Sequence, residues 1–245
     1  MSLLSLNGVG KRYRRGRRDY VALKDVSLSI EHGEFVGVLG TRKSGRSTLL
    51  RIAAGLERPD HGSVRFEGVD LSTAADIIGR RIAYCTTSFS ELEGDLIVDH
   101  VAAGLLAQHY APLPARRVAE RVLARAGVAD CARMRPYELD GAECVRVAIA
   151  RALISSPAML VIDEPTAAVG LLESDPILRL LRSIADEGVA VLMSTGDATC
   201  LSGVDRAMSL DEGELRGEVQ PSEAEVVPLH VAARRTDAKP EADAG

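Results

Sequence analysis

Asp163 and Glu164 stand side by side after the run Met159-Leu160-Val161-Ile162, and Pro165 follows them. The run is short and apolar, which predicts a strand buried on both faces, as in a parallel sheet. In an open α/β sheet ligands collect beyond the carboxyl ends of the strands, so both carboxylates should meet such a crevice. An Asp there suits a magnesium ion held through water, and a neighbouring Glu suits activation of a nucleophilic water. Carboxylates at strand ends are common, however, and the pair alone does not select a phosphate site.

A second constellation follows the apolar run Phe35-Val36-Gly37-Val38-Leu39. Gly40 and Gly45 have the G-x4-G spacing of a phosphate loop, with Ser47 and Thr48 just behind. Such a loop surrounds an anion with backbone N–H groups and a helix N-terminus. A lysine normally reaches the outer phosphates from it, and a hydroxyl binds magnesium. Here Arg46 stands at the lysine position. It keeps the positive charge, but its planar fork is larger than an ammonium and cannot thread the same space. A glycine turn joining strand to helix without any ligand is the alternative reading.

Together with the segment 146–153, these motifs resemble the nucleotide-binding subunit of an ATP-binding-cassette (ABC) transporter over roughly residues 3–217. The stretches near 80–92 and 124–139 look most like the lipoprotein-release and macrolide-efflux branch. The resemblance implies an α/β fold: an ABC-type P-loop NTPase core with an N-terminal antiparallel β layer and a helical subdomain at about 88–150. It implies ATP and Mg2+ as cofactors and Tyr13 as the aromatic that stacks on adenine. Gly40, Thr41, Arg42, Lys43, Ser44, Gly45, Arg46, Ser47 and Thr48 would form the phosphate loop. Ser47 and Asp163 would hold magnesium, and Glu164 would be the catalytic carboxylate. Transmembrane subunits and a second cassette, identical or different, are the implied partners. The implied location is cytoplasmic, at the inner face of the plasma membrane through those subunits.

Several chemical positions depart from the family pattern. Its mid-loop glycine is Lys43, its Gln-loop glutamine is Thr87, its switch histidine is Gly196 and its D-loop aspartate is Gly170. The signature Leu-Ser-Gly-Gly-Gln is replaced by Leu139-Asp140-Gly141-Ala142-Glu143. Asp140 puts a carboxylate where that family caps a γ-phosphate, and two unit charges ~4 Å apart repel by about 4 kcal/mol at an effective dielectric of 20. Asp is also as good a helix N-cap as Ser, so the exchange is expected to keep the helix and lose the phosphate sensor. Removal of one oxyanion-type donor typically slows a reaction ~10²–10³-fold. The losses need not multiply, because parts of one site act as a unit. Hydrolysis is therefore expected to be impaired or lost. A non-catalytic scaffold or regulatory subunit of a membrane complex is the competing reading. The soluble ABC proteins of translation or DNA repair fit less well, since they usually need a second cassette or a coiled-coil insertion.

Composition agrees with this frame. The 245 residues are 46% hydrophobic with only 3% aromatic, which predicts a large, mostly aliphatic core. A net charge of −5 argues against general nucleic-acid binding. Cys85, Cys131, Cys144 and Cys200 lack CxxC pairing and read as free thiols of a reducing compartment. No apolar run approaches the ~18–20 residues that cross a bilayer, and the basic N-terminus does not resemble a signal peptide.

Residues 3–35 read as short strands and turns, 92–150 as mainly helical, and 189–194 as another buried strand, with a hairpin turn at 211–215. The basic cluster at 11–18 reads as a solvated loop, or else as a contact for phosphate or lipid. From Glu218 the apolar period stops, which predicts a disordered tail over 218–245.

Overall fold

The computed structural model describes residues 2–16, 18–74, 76–86, 95–167 and 169–219. The N-terminal strands β1 (Leu4–Arg15) and β2 (Arg18–Ile30) pair antiparallel along most of their length. They are long, not the short strands expected. Register shifts between Leu6 and Arg12 break the side-chain alternation, and so conceal one continuous strand in the sequence. Lys11, Arg12, Arg14, Arg15 and Arg18 of the basic cluster accordingly lie on the strands of a hairpin, with Arg15 opposite Arg18, rather than in a loop.

β3 (Phe35–Leu39) leads into α1 (Arg46–Ala53), and β4 (His61–Phe66) and β5 (Val69–Asp70) complete a four-stranded antiparallel sheet in the order β2-β1-β4-β5. β6 (Ile82–Cys85) precedes the helices α2 (Ile97–Leu106), α3 (Pro112–Arg125) and α4 (Gly141–Leu153). β7 (Met159–Asp163), α5 (Leu171–Asp186), β8 (Ala190–Thr195) and the hairpin of β9 (Arg206–Asp211) and β10 (Glu214–Val219) complete the chain. The central sheet has the order β10-β9-β3-β8-β7-β6 and is parallel from β9 to β6.

Alternation along β7 explains why the parallel sheet reads as an unbroken apolar run. Leu160 and Ile162 face α2–α5, whereas Met159 and Val161 face α1 and the antiparallel sheet. Both faces are dry, so every position must be apolar. All four side chains are 0% exposed. The core on both sides is aliphatic, with Phe35 and Phe66 its large aromatics.

The helical reading of 92–150 agrees with α2 to α4, although the residues 87–94 lie outside those described, and Thr87 with them. The hairpin turn at 211–215 is present, with Glu212 and Gly213 both left-handed at φ 47° and 82°. β10 runs to Val219, two residues into the expected tail, because Glu218 and Val219 still pair with Met208 and Ala207. Residues 220–245 lie outside those described. Among the described residues no helix is long and apolar enough to cross a membrane.

Candidate functional site

The loop between β3 and α1 is held at both ends. Gly40 donates its N–H to Thr195 O at 3.1 Å, and Gly213 donates to Ser44 O at 2.9 Å. Lys43 and Gly45 take left-handed conformations at φ 68° and 107°. A Cβ at Gly45 would lie 2.2 Å from Ala22 O, so glycine is obligatory there. Lys43 is not glycine and carries the cost of that conformation, of order 1–2 kcal/mol. The turn brings the loop onto the first turn of α1, which has no side-chain cap. Its leading N–H groups have no acceptor within the helix and are open to an anion.

Several clefts open on this loop and beside Glu164. One of about 520 Å³ is lined by Tyr13, Asp19, Tyr20 and the segment Lys43, Ser44, Gly45, Arg46, Ser47, Thr48. A second of about 380 Å³ contains Arg42, Lys43, Arg46, Ser47, Asp163 and Glu164. A third of about 690 Å³ runs from Glu164 past Gly196 to Cys200. The fold thus brings together the loop and the two carboxylates that the sequence singled out. Asp140 does not line any of these three.

Tyr13 lines the first cleft but is tethered behind it. Its hydroxyl donates to Glu57 Oε1 at 2.5 Å and accepts from Arg51 Nη2 at 3.1 Å, with Thr48 Oγ1 at 3.4 Å. Burial opposes charge on Glu57, yet the hydrogen bonds from Tyr13 and Arg51, with Lys11 nearby, hold its carboxyl below the usual range. Tyr20, opposite Tyr13 in the β1–β2 register, donates from its hydroxyl to Lys43 O. Sequence reasoning missed Tyr20, Arg51 and Glu57. Only the pairing of the two aromatic positions across one hairpin could have pointed to Tyr20.

At the carboxyl end of β7, Asp163 accepts a hydrogen bond from Ser194 Oγ. Glu164 N–H donates to Ser194 O and to Ser194 Oγ, both at 3.2 Å. Ser194 was missed as well; its signal is a hydroxyl near the end of an otherwise apolar strand. Burial and the neighbouring Asp163 raise the Tyr84 hydroxyl to about 12, so it stays neutral. Arg46 donates through Nη2 to Glu164 Oε1, and its other arm, Nη1, is buried without a hydrogen-bond partner among the described residues. The Arg46 side chain is 8% exposed and that of Glu164 is 42% exposed. Gly196 lies against the guanidinium: a Cβ there would sit 3.3 Å from Nη1.

Asp140 forms the N-cap of α4. Its carboxylate accepts from Glu143 N–H at 2.7 Å, while Glu143 accepts from Asp140 N–H at 2.9 Å, a reciprocal capping box. Gly170 precedes α5 and brings no side chain to it.

A nucleotide polyphosphate fits the backbone of this site. The left-handed turns, the uncapped helix start and the exposed Ser47 supply the cradle, and the buried, unpartnered Ser44 Oγ and Arg46 Nη1 mark unmet polar demand inside it. Among the described residues no cluster of three or more His, Cys, Asp or Glu gathers to hold a metal. Magnesium at Ser47 and Asp163 would therefore rely on phosphate oxygens and water for its remaining ligands. The hydrolytic side chains fit less well, because Glu164 is already engaged by Arg46.

A family model described as ABC transporter matches residues 23–167. The chain is 30% identical over 226 residues to the uncharacterized ABC transporter ATP-binding protein YvrO of Bacillus subtilis, covering 89% of this chain and 99% of that one. It is 32% identical over 219 residues to the lipoprotein-releasing system ATP-binding protein LolD of Chromohalobacter salexigens, covering 87% and 92%. Against the macrolide export ATP-binding/permease protein MacB of Syntrophobacter fumaroxidans it is 31% identical over 97% of its own length, but spans only 36% of that protein. Among solved structures, the dimeric post-hydrolysis state of the ATP-binding cassette MJ0796 with ADP and Pi superposes with a TM-score of 0.81 at 28% identity, covering 88% and 97%. With the phosphate loop, the strand-end carboxylates and the two-sheet core all in place, this chain belongs to the ABC transporter family and has the fold of its ATP-binding cassettes.

Proposed function

We propose that the chain is the ATP-binding subunit of an ABC transporter, coupled to transmembrane subunits at the inner face of the plasma membrane, with hydrolysis impaired or lost. The observation that carries this is a phosphate cradle with its backbone turns in place, whose corner holds Arg46 beside Glu164 and the side-chain-free Gly196. Bound nucleotide would supply the polyphosphate charge that the loop amides, Ser47 and Arg46 receive, and Asp163 would orient magnesium beside it. Glu164 is the remaining candidate for activating water, and the arginine at the lysine position engages it in the ligand-free chain. Gly196 contributes no side chain to charge stabilisation.

The relatives named for lipoprotein release and macrolide export support membrane partners of that kind. The dimeric neighbour supports pairing of two cassettes, either two copies of this chain or this chain with a competent paralogue. In a mixed pair, the partner's loop would face Asp140, and Asp140→Ser should raise turnover of the complex. Mg-ATP should shift the melting temperature of the purified chain, while phosphate release stays at the level of a Glu164→Gln control. A Glu164-dependent rate in the isolated chain would overturn the impairment. No thermal shift at millimolar Mg-ATP, even with the partner present, would leave a scaffold that does not bind nucleotide.

A further inference from the structure

Arg46 and Glu164 are 118 positions apart, and the fold brings them into one pair inside the phosphate corner. The Arg46 side chain passes Gly40, where an added Cβ would meet its Cδ at 3.2 Å. Its guanidinium then lies beside Gly196, with Nη1 at 3.3 Å and Nη2 at 3.7 Å from a Cβ placed there. A Cβ at 196 would already press on it, so that the guanidinium would have to give by a few tenths of an ångström. Arg46 and Gly196 are thus complementary in volume, one large residue fitted to one absent side chain.

A guanidinium this deeply buried needs an anion, because an unpaired charge out of water is costly. Glu164 supplies one oxygen to one arm, and Nη1 has no acceptor among the described residues. Ser44 Oγ, 3% exposed at the residue level, is in the same condition, and it borders Gly40 as the Cδ of Arg46 does. A single carboxylate therefore neutralises the charge but leaves part of the donor set unmet. A polyphosphate offers more oxygens in the same place and suits the fork of an arginine.

We propose that Glu164 is the built-in counter-ion of Arg46, and that a polyphosphate binds this chain by taking Arg46 away from Glu164. The carboxylate then opposes binding, and the pair is an autoinhibitory contact across the phosphate site. This rests on the nucleotide-binding reading above. In the exchange one anion replaces another on the guanidinium, Nη1 gains an acceptor, and Glu164 turns to the solvent it already half faces. No bond is made or broken. Hence the same contact that stabilises the ligand-free chain weakens its affinity for phosphate.

The test is calorimetric titration of the full-length chain with Mg-ADP and with inorganic tripolyphosphate, neither of which depends on turnover of ATP. Glu164→Gln should tighten both ligands by about 10-fold, the low end for a hydrogen bond to a charged group because Glu164 is 42% exposed. The same variant should melt at a lower temperature than the wild type when no ligand is present. In an Arg46→Met background the gain from Glu164→Gln should vanish. Equal affinities for wild type and Glu164→Gln would overturn the exchange while leaving nucleotide binding intact. A gain of the same size in the Arg46→Met background would reduce it to plain charge repulsion and also overturn it. Absence of binding in both wild type and Glu164→Gln would overturn it together with the nucleotide-binding reading.

Discussion

The first turns of α1 and α4 are two helix N-termini that face opposite electrostatic fates. Each presents leading backbone N–H groups and the positive end of a helix dipole. At α1 the residue before the helix is Gly45, left-handed and without a side chain, so the amides stay open. At α4 Asp140 and Glu143 close the end by reciprocal hydrogen bonds, and two carboxylates sit where an incoming anion would have to be. The motif letters suggest damage at both places. In the structure the damage differs in kind. Around α1 the backbone receptor survives and side chains have been rearranged around it. At α4 the helix survives and its receptor is filled from within. An N-terminus receives a foreign anion only when its own sequence leaves it uncapped.

Gly45→Ala should break the open terminus most severely. Its Cβ would meet Ala22 O at 2.2 Å in a left-handed conformation, so urea denaturation should show a loss of about 3 kcal/mol. At the closed terminus, Asp140→Ala should cost about 1 kcal/mol by the same measurement, while Asp140→Ser should stay within a few tenths. Equal losses for Ala and Ser would mean that the carboxylate acts through something other than the cap.

Lys43→Gly tests the strain of the open loop. Relief of the left-handed lysine, offset by the greater freedom of glycine when unfolded, should stabilise the chain by about 0.5 kcal/mol. Tighter binding of ADP in that variant would show that the lysine side chain obstructs the cleft.

Acid titration probes the side chains that brace α1 from behind. Glu57 has a carboxyl held below its ordinary value of 4.5 in the fold. Its contribution is therefore complete above that value and is lost as the pH falls through the depressed one. Glu57→Gln should accordingly reduce stability near neutrality, and the gap to wild type should close as the pH drops below about 4.5. A gap that stays constant down to the lowest pH would remove Glu57 from the brace.

Much of the architecture was legible from local pattern. The apolar run before Asp163 defines β7, the spacing of Gly40 and Gly45 defines the loop, and the Asp140–Glu143 spacing is itself a capping box. These features lie within a few residues of chain, where backbone geometry decides the outcome. The length of β1 escaped because bulges shift its register, and the Tyr13 tether escaped because Arg51 and Glu57 carry no motif of their own.

The sequence by itself determined the order of elements, the two-faced burial of the parallel strands and the presence of a glycine loop with phosphate-loop spacing and altered side chains. Only the tertiary structure decided what those alterations do. Arg46 opens α1 behind β3, while Glu164 and Gly196 follow directly on β7 and β8, and their meeting depends on the order of β3, β8 and β7 in the sheet. Periodicity records which face of an element is buried, but not which distant side chain will share a given volume. The pairing of a misfit arginine with the strand-end glutamate, in space left by a glycine, is therefore a property of the fold.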